Sequence, residues 1–228
     1  MNESGANFPN CTPGRALVPA QIRPRIHARM VIASLLWVVV VAGGTFELMR
    51  YANTPGISGE APKVWPAESQ IPGGDNRPTL VMFAHPRCPC TRASIGELEV
   101  LLAQFHGQVN AHVVFLKPTG METNWEKSDL WRTASSIPGV TVSTDDGGIE
   151  ARRFHSETSG QTLLYDKSGV LKFQGGITLS RGHAGDNPGR SALQELLRGR
   201  DPVLSKTPVF GCSLFESNCQ QGGTLCKP

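Results

Sequence analysis

The sequence predicts an α/β fold preceded by a single membrane-spanning helix. From residue 79 onward, short apolar runs alternate with segments in which apolar residues recur at helical spacing, and the series ends in a hairpin and a helix. Upstream, Met30–Phe46 is a run of 17 uncharged residues rich in Val, Leu and Ile. The first pattern is typical of a central mixed sheet flanked by helices, and the second is typical of a membrane span.

The charge asymmetry around the apolar run predicts its orientation. The chain has 22 basic and 19 acidic residues, of which four Arg and one Glu lie in residues 1–29, so the rest of the chain is neutral. By the positive-inside rule, a span over residues 30–49 keeps the N-terminus cytosolic and places the remainder in the periplasm or another extracytoplasmic space. A cleaved signal peptide and a buried core helix are the alternatives. The neutral remainder lacks an electrostatic footprint for nucleic acid.

Composition divides the chain further. The stretch after the apolar run, Ala52–Pro78, contains five Pro and four Gly and is predicted to be a linker that holds the domain off the membrane. The length leaves ample chain for one folded domain beyond it. The predicted organisation is a basic cytosolic tail (1–29), a signal-anchor (30–49), a linker (50–75), a domain (76–200) and a Cys-containing tail (201–228).

Hydrophobic periodicity predicts the first half of the domain. The run that begins at Thr79 is continuously apolar, as in a buried strand, and apolar residues then recur at helical spacing from Ile95 to Phe105. The predicted elements are a strand over Thr79–Ala84, a helix over about 90–106, a strand over Val109–Leu116, a short helix over Glu126–Ser135 and a brief strand over Val140–Ser143.

Cap and turn residues predict the second half. An aspartate, Asp145 or Asp146, is suited to cap a helix, and Asn187 followed by Pro188 is a second helix start. Lys167-Ser-Gly separates two β-rich runs, as in a hairpin. The predicted elements are a helix over Asp146–Phe154, hairpin strands over Thr162–Asp166 and Val170–Gln174, and a last helix that ends at Arg198.

A pair of cysteines lies between the first strand and the first helix. If Cys88 is the N-cap, Pro89 occupies the first helical position, where it needs no N–H partner, and Cys90 lies in the first turn. A helix N-terminus stabilises a thiolate, so we expect at least one thiol with a lowered pKa. Cys88 comes first and is expected to be the more accessible nucleophile, with Cys90 as the resolving thiol. A disulfide across one residue closes a small, strained and easily reduced ring.

The sequence around these cysteines resembles a known superfamily. The run Leu80-Val-Met-Phe-Ala-His-Pro-Arg-Cys-Pro-Cys-Thr is similar to the active-site strand and turn of thioredoxin-fold proteins, shortened to Cys-x-Cys, and Gly160–Gly176 is similar to their strand, turn, strand pair. The closest resemblance is to the TlpA-like group, in particular RedB-type proteins, in the blocks Gly175-Gly-Ile-Thr, Arg181-Gly-His, Gly185-Asp-Asn and Phe210-Gly-Cys. It implies a thioredoxin-like fold over residues 76–214.

The resemblance also identifies a position opposite the cysteines. The family's cis-proline, which helps to position substrate backbone and keeps metals away from the thiols, corresponds to Gln161 here. The resemblance therefore implies room for a metal ion at the thiols. Three histidines are candidate supporting or metal-ligating residues, although each also fits an ordinary loop role: His85 three residues before Cys88, His155 before the hairpin, and His183 in a Gly-rich loop.

The remaining cysteines suggest further chemistry. Cys212, in a Gly-Cys element after the last helix, either folds back to the active-site face as a third thiol or is a buried apolar residue. Cys219 and Cys226 are expected to form a disulfide or to stay free, and Cys11 lies on the cytosolic side of the predicted anchor. That leaves five cysteines in the exported part, an odd number that requires a free, shared or metal-bound thiol.

Two functions from different classes fit these residues. The first is a membrane-anchored thiol–disulfide oxidoreductase that uses Cys88 and Cys90 on protein thiols and disulfides and needs no cofactor. The second is a metal-handling protein, such as a copper chaperone or assembly factor, that binds Cu(I) through Cys88, Cys90 and either Cys212 or a His such as His155. A third reading is a non-enzymatic module in which the pair is a fixed staple. The chain contains no phosphate loop, hydrolytic triad or paired catalytic carboxylates.

Overall fold

The computed structural model describes residues 24–73 and 76–215, and the chain divides into two units with a boundary after Glu47. Helix α1, Pro24–Asn53, contains the predicted anchor, residues 30–49. Its segment Ala28–Asn53 is long and apolar enough to cross a membrane, a property it shares with signal sequences. Cys11, Cys219 and Cys226, with most of the predicted tails, lie outside the described residues.

The second unit is built around a five-stranded mixed sheet in the order β3-β2-β1-β4-β5. β1 runs parallel to β2 and β2 parallel to β3, whereas β4 is antiparallel to both β1 and β5. The strands are β1 (Thr79–Ala84), β2 (Asn110–Lys117), β3 (Val140–Asp146), β4 (Gln161–Tyr165) and β5 (Leu171–Gly175), and the helices of this unit are α2 (Thr91–Gln104), α3 (Asp129–Ser136), α4 (Ile149–Arg153) and α5 (Pro188–Leu197).

The central strand β1 is buried on both faces, as its continuously apolar sequence predicts. Because successive side chains point to opposite faces, Leu80 and Met82 contribute to one core cluster and Val81 and Phe83 to the other. Residues of α2, α3 and α5 cover the first cluster, and residues of α4 cover the second. This burial fixes the position at which β1 ends, immediately before the cysteines.

Most predicted elements are confirmed, and the differences have local causes. Helix α3 begins at Asp129 instead of Glu126, because the Ser128 hydroxyl caps it by accepting a hydrogen bond from the Trp131 N–H at 3.4 Å. The last helix has the predicted cap, in which the Asn187 side chain accepts from the Arg190 N–H at 2.7 Å.

Strand β3 and helix α4 divide their segment differently from the prediction. β3 continues to Asp146 beside the end of β2, and two glycines with positive φ, Gly147 (+69°) and Gly148 (+72°), separate it from α4. The helix therefore begins at Ile149 instead of Asp146. Its capping carboxylate is that of Asp145, which accepts hydrogen bonds from backbone N–H groups of the first turn at 2.9 and 2.8 Å.

The predicted linker packs on the domain and is not a free spacer. The Trp65 ring lies 5.1 Å from each of the Phe154 and Tyr165 rings, edge to face. The Trp65 backbone N–H donates to the Gly169 carbonyl at 2.7 Å, and the Tyr165 hydroxyl donates to the Pro62 carbonyl at 2.9 Å. We call residues 54–73 the N-terminal strap. The prediction of a spacer was wrong because these contacts are made with residues about 100 positions away.

The described part of the predicted C-terminal tail also belongs to the domain. Gln174 in β5 exchanges backbone hydrogen bonds with Ser205 and Thr207, at 3.0 and 3.2 Å, which adds a short parallel pairing to the sheet edge. Val209 and Leu214 are buried, at 1% and 4% exposure. We call residues 205–215 the C-terminal segment. It runs from the sheet edge back towards the end of β1.

Candidate active site

The cysteine pair lies in the turn between β1 and α2. The Cys88 N–H donates to the His85 carbonyl at 3.1 Å, and the Thr91 N–H donates to the Cys88 carbonyl at 3.2 Å. The N-cap of α2 is Cys90 and not Cys88, so Pro89 precedes the helix instead of occupying its first position. The prediction was wrong because the chain enters the helix through tight bonds between residues three apart, and regular α-helix begins only at Thr91.

The C-terminal segment brings Cys212 to Cys88. The Cys212 N–H donates to the Cys88 sulfur at 3.4 Å, and the Cys212 carbonyl accepts from the Ser159 N–H at 2.8 Å. Thr158 and Ser213 form an isolated antiparallel bridge beside it. A Cβ at Gly211 would lie 1.9 Å from the Ser159 carbonyl oxygen, so only glycine allows this approach. Of the two roles left open for Cys212, the structure supports a third thiol at the site.

Burial reverses the expected accessibility of the pair. Cys88 is only 1% exposed and Cys90 is 8% exposed, whereas Cys212 is half-buried. The prediction that Cys88 is the more accessible thiol was wrong, because nothing in the local sequence indicates that Cys212 packs against it. All three cysteines are free thiols.

The pKa values of the three thiols diverge. Burial alone raises the pKa of Cys88, but hydrogen bonds from the Thr91 side chain and from the side chain and backbone of Cys212 outweigh it and hold that pKa below its ordinary value. Burial and the neighbouring Cys88 raise the pKa of Cys90. Burial and the same neighbour raise the pKa of Cys212 to about 12. The expectation of one thiol with a lowered pKa is met at Cys88.

A chain of hydrogen bonds leads to the Cys88 sulfur. The backbone N–H of His85 donates to the Ser159 hydroxyl at 2.7 Å, and the hydroxyls of Ser159 and Thr91 lie 2.6 Å apart, both fully buried. When the Thr91 hydroxyl donates its one proton to Cys88, the bond between the two hydroxyls is donated by Ser159. Donors aligned in one direction reinforce each other and stabilise a thiolate. Ser159 lies 68 residues from Thr91, and nothing in the sequence predicted it as a residue of the site.

Arg181 is a second residue of the site that was not predicted from the sequence. Its guanidinium lowers the pKa of Cys90 by its charge and by a hydrogen bond, and it lowers that of Cys212 by its charge, although burial wins at both thiols. It also donates to the Gly211 carbonyl and lies 4.7 Å from the Tyr51 ring. Its presence in the Arg181-Gly-His block was the only available signal.

The structure places the predicted histidines apart from one another. His85 Nδ1 accepts from the Arg87 N–H at 3.2 Å, its ring contacts Trp125, and burial with the Arg87 charge lowers its pKa, so it is a neutral neighbour of the cysteine turn. His155 is exposed, and its Nδ1 contacts the Glu60 carbonyl at 2.7 Å. His183 is exposed, and its N–H forms a turn with the Ser180 carbonyl.

Gln161 is fully buried at the start of β4, opposite Phe83. Its Oε1 accepts from the Glu157 N–H at 3.3 Å, while no residue in the described part of the chain offers its buried Nε2 a hydrogen-bond partner. Within residues 24–73 and 76–215, no three His, Cys, Asp or Glu side chains are grouped as a metal ion would require.

Comparison with known proteins identifies the fold. No protein-family model and no curated protein sequence matches the chain. Among solved structures, an uncharacterized conserved protein from Geobacillus kaustophilus is similar, with 14% identity over 72% of this chain and 94% of that chain and a TM-score of 0.52. A hypothetical protein from Sinorhizobium meliloti has 18% identity over 71% and 93% of the two chains and a TM-score of 0.51.

A secreted Mycobacterium tuberculosis disulfide oxidoreductase matches more weakly, with 13% identity over 55% of this chain and 84% of that chain and a TM-score of 0.41. At such identities the matches bear on the fold alone. The observed sheet has two parallel crossovers, β1 to β2 and β2 to β3, followed by an antiparallel hairpin and a last helix. This chain has a thioredoxin-like fold, with its cysteine pair in the turn after the central strand.

Proposed function

We propose that this protein is a membrane-anchored, extracytoplasmic thiol–disulfide oxidoreductase whose central thiol is Cys88. The observation that carries the proposal is the environment of that sulfur: a buried thiol at the start of α2 that accepts hydrogen bonds from Thr91 and Cys212. A thiolate is the form that exchanges with disulfides, and a thiol with a lowered pKa is also the best leaving group. The thioredoxin-like fold supports the same reaction class.

The exchange transfers two electrons and needs no cofactor. In the reducing direction, a thiolate of this site attacks a partner disulfide, one partner sulfur leaves as a thiolate, and a mixed disulfide forms. A second thiol of this protein then attacks this protein's sulfur in the mixed disulfide and releases the other partner sulfur. The sequence predicts Cys90 for that second role. The Cys90 side chain lies within hydrogen-bonding range of Cys88, and so does the Cys212 side chain.

The test uses the full chain in detergent with a mixed glutathione–peptide disulfide as substrate. Cys88→Ser is expected to reduce exchange to the uncatalysed rate, because serine supplies neither nucleophile nor leaving group. A variant with Ser at Cys11, Cys219 and Cys226, which we call the three-thiol protein, is the matched control and is expected to retain full activity. Retention of activity by Cys88→Ser would falsify the proposal.

The second candidate function is Cu(I) transfer by the same thiols. It is favoured by the pairwise closeness of Cys88 to Cys90 and to Cys212, since soft thiolates select Cu(I). It is disfavoured by the lack of a three-ligand group in the described residues. Stoichiometric Cu(I) that protects all three thiols of the reduced protein from alkylation would establish it, whereas unchanged alkylation would exclude it.

The finer assignments depend on sequence features. The TlpA-like relationship, and the RedB-type one within it, depends on four short residue blocks in and beside the site, including Arg181-Gly-His and Phe210-Gly-Cys. The topology depends on the four arginines that precede the apolar run Met30–Phe46. Labelling of Cys212 in intact cells by a membrane-impermeant maleimide, with Cys11 unlabelled, is the expected result for a cytosolic N-terminus and an exported domain.

A further inference from the structure

The three thiols are not equivalent partners for one another. Cys90 is two residues from Cys88, and Cys90 has helical backbone angles (φ −67°, ψ −32°). The bonds from Thr91 to the Cys88 carbonyl and from Arg92 to the Pro89 carbonyl show that the chain follows a helical path from Cys88 onward. Side chains two apart on such a path leave it on different sides, so a disulfide between Cys88 and Cys90 requires the backbone to move, although the two side chains lie close enough to share a hydrogen bond.

Cys212 approaches Cys88 from a separate piece of backbone. Its N–H lies 3.4 Å from the Cys88 sulfur, and its carbonyl is held by the Ser159 N–H at 2.8 Å. Two residues after Cys212, the Leu214 N–H donates to the Glu157 carbonyl at 2.8 Å, so the backbone that follows Cys212 is also held. The glycine before Cys212 makes this close approach possible. No constraint of ring size applies to cysteines 124 positions apart.

Exposure distinguishes the two sulfurs of such a bond. Cys88 is 1% exposed, whereas Cys212 is half-buried, so a partner reaches Cys212 without displacing the C-terminal segment. Thiol–disulfide exchange depends on which sulfur is accessible and on how well the other sulfur leaves. Cys88 is surrounded by donors that stabilise it as it leaves: the Thr91 hydroxyl and the Cys212 N–H.

We propose that the redox-active disulfide of this protein joins Cys88 to Cys212, with Cys212 as the sulfur that a partner thiolate attacks. The inference builds on the proposed oxidoreductase function and names the connectivity and the entry point of that same site. Cys90 is then a neighbouring thiol that the two-electron cycle does not require. The partner class is a protein dithiol, which this disulfide oxidises.

The atoms and electrons balance as follows. A partner thiolate attacks the Cys212 sulfur, the Cys88–Cys212 bond breaks, and Cys88 leaves with the electron pair as a thiolate. The second partner thiolate attacks the partner sulfur in the mixed disulfide, and Cys212 leaves and takes a proton. The partner loses two electrons and gains a disulfide, and this protein gains two thiols.

The raised pKa of Cys212 is consistent with this direction of electron flow. In the reverse direction, Cys212 attacks a partner disulfide, but burial and the Cys88 charge keep it protonated at neutral pH. In the oxidising direction, the thiol with the lowered pKa is the one that leaves. The pKa shifts and the exposures of Cys88 and Cys212 therefore indicate the same roles, with Cys212 as the attacked sulfur and Cys88 as the leaving group.

Peptide mapping of the three-thiol protein tests the connectivity without a substitution in the site. The full chain in detergent is equilibrated with oxidised and reduced glutathione, acidified, alkylated and digested with trypsin. Cleavage after Arg87, Arg92 and Lys206 places Cys88 and Cys90 in peptide 88–92 and Cys212 in peptide 207–228. The expected product is peptide 88–92 linked through Cys88 to peptide 207–228, with Cys90 alkylated. The same link is expected in Cys90→Ser.

The other products separate the two proposals. A disulfide within peptide 88–92, or a link through Cys90, overturns the connectivity but leaves the oxidoreductase function standing. Absence of any reversible oxidation at these thiols overturns both. For the entry point, a limiting amount of reduced glutathione is added to the oxidised protein before acid quenching. An adduct on peptide 207–228 is expected, and an adduct on peptide 88–92 overturns the assignment of Cys212 as the attacked sulfur.

Discussion

Two segments of this molecule deliver thiols to one place by different physics. The segment from β1 to α2 positions Cys88 and Cys90 by local means. These are a buried strand, followed by a tight turn and a helix start that are held by hydrogen bonds between residues three positions apart. The C-terminal segment, residues 205–215, positions Cys212 by backbone bonds to β5 and to residues 157–159. The first arrangement follows from the local pattern of side chains. The second depends on a glycine, Gly211, that lets two distant pieces of backbone lie in contact.

This difference explains the properties of the site. Local geometry alone gives an exposed pair at a helix start, which is what the sequence predicts. The C-terminal segment covers Cys88, adds two hydrogen bonds to its sulfur and contributes the most exposed of the three thiols. The chemistry of Cys88 is therefore a joint property of both segments. Each of the following predictions tests the part played by one segment.

The largest expected effect concerns the N-terminal strap, which like the C-terminal segment is held by distant contacts. Trp65→Ala removes a ring packed against Phe154 and Tyr165, and we expect a loss of about 3 kcal/mol in the free energy of unfolding. The neighbouring Val64 is 61% exposed, so Val64→Ala is expected to change stability by less than about 0.5 kcal/mol. Denaturant unfolding of the full chain measures both. Equal effects would show that the strap is not docked in solution.

A smaller effect is expected where the C-terminal segment passes closest to the turn just before β4. Gly211→Ala places a Cβ against the Ser159 carbonyl, and we expect a loss of about 1–3 kcal/mol in unfolding free energy. The displaced segment also withdraws Cys212 from Cys88, so the pKa of Cys88 is expected to rise. Denaturant unfolding and the pH profile of alkylation measure the two changes.

Gly96 provides the matched control for that substitution. It lies in α2 with no neighbouring atom within 4 Å of an added Cβ, so Gly96→Ala is expected to stabilise the protein by about 0.5–1 kcal/mol. If Gly211→Ala behaved like Gly96→Ala, the close contact between the C-terminal segment and Ser159 would not exist in solution.

The same contrast decides what could be predicted from the sequence. The sheet, its helices and the place of the cysteine pair follow from periodicity, from Asn187 and from the order of elements, because these features are local. The helix start at Thr91 was not predicted, because the residues from Cys88 to Thr91 suit either the three successive tight turns observed or a helix that begins earlier.

The long-range part of the site could not be predicted in the same way. Arg181 and Ser159 reach the thiols through loops whose paths depend on the whole fold, and polar residues in loops have no periodicity to indicate their partners. The sequence left two alternatives for Cys212, a third thiol at the site or a buried apolar residue. The Gly-Cys pair was the one feature that favoured a contact with Cys88. Glycine at a close backbone approach is a physical signal, but its partner cannot be identified from the sequence alone.

The smallest expected effect on structure, and the sharpest test of the local segment, is at Thr91. Thr91→Val keeps the shape of the side chain but removes the hydroxyl that donates to Cys88, whereas Thr91→Ser keeps the hydroxyl. Loss of a donor to the thiolate raises its pKa, so the pH midpoint for alkylation of Cys88 is expected to move upward in the valine variant and to return in the serine variant.

The sign follows from which form reacts. Below the pKa of Cys88 the thiol is protonated and alkylates slowly, so raising that pKa lowers the rate at neutral pH and leaves the alkaline plateau unchanged. The alkylation rate of added free glutathione serves as the reference, because Cys212 responds to the Cys88 charge and its own rate would shift with it. A valine variant with an unshifted midpoint would mean that the C-terminal segment alone sets the acidity of Cys88, and that the local helix start contributes position but not charge stabilisation.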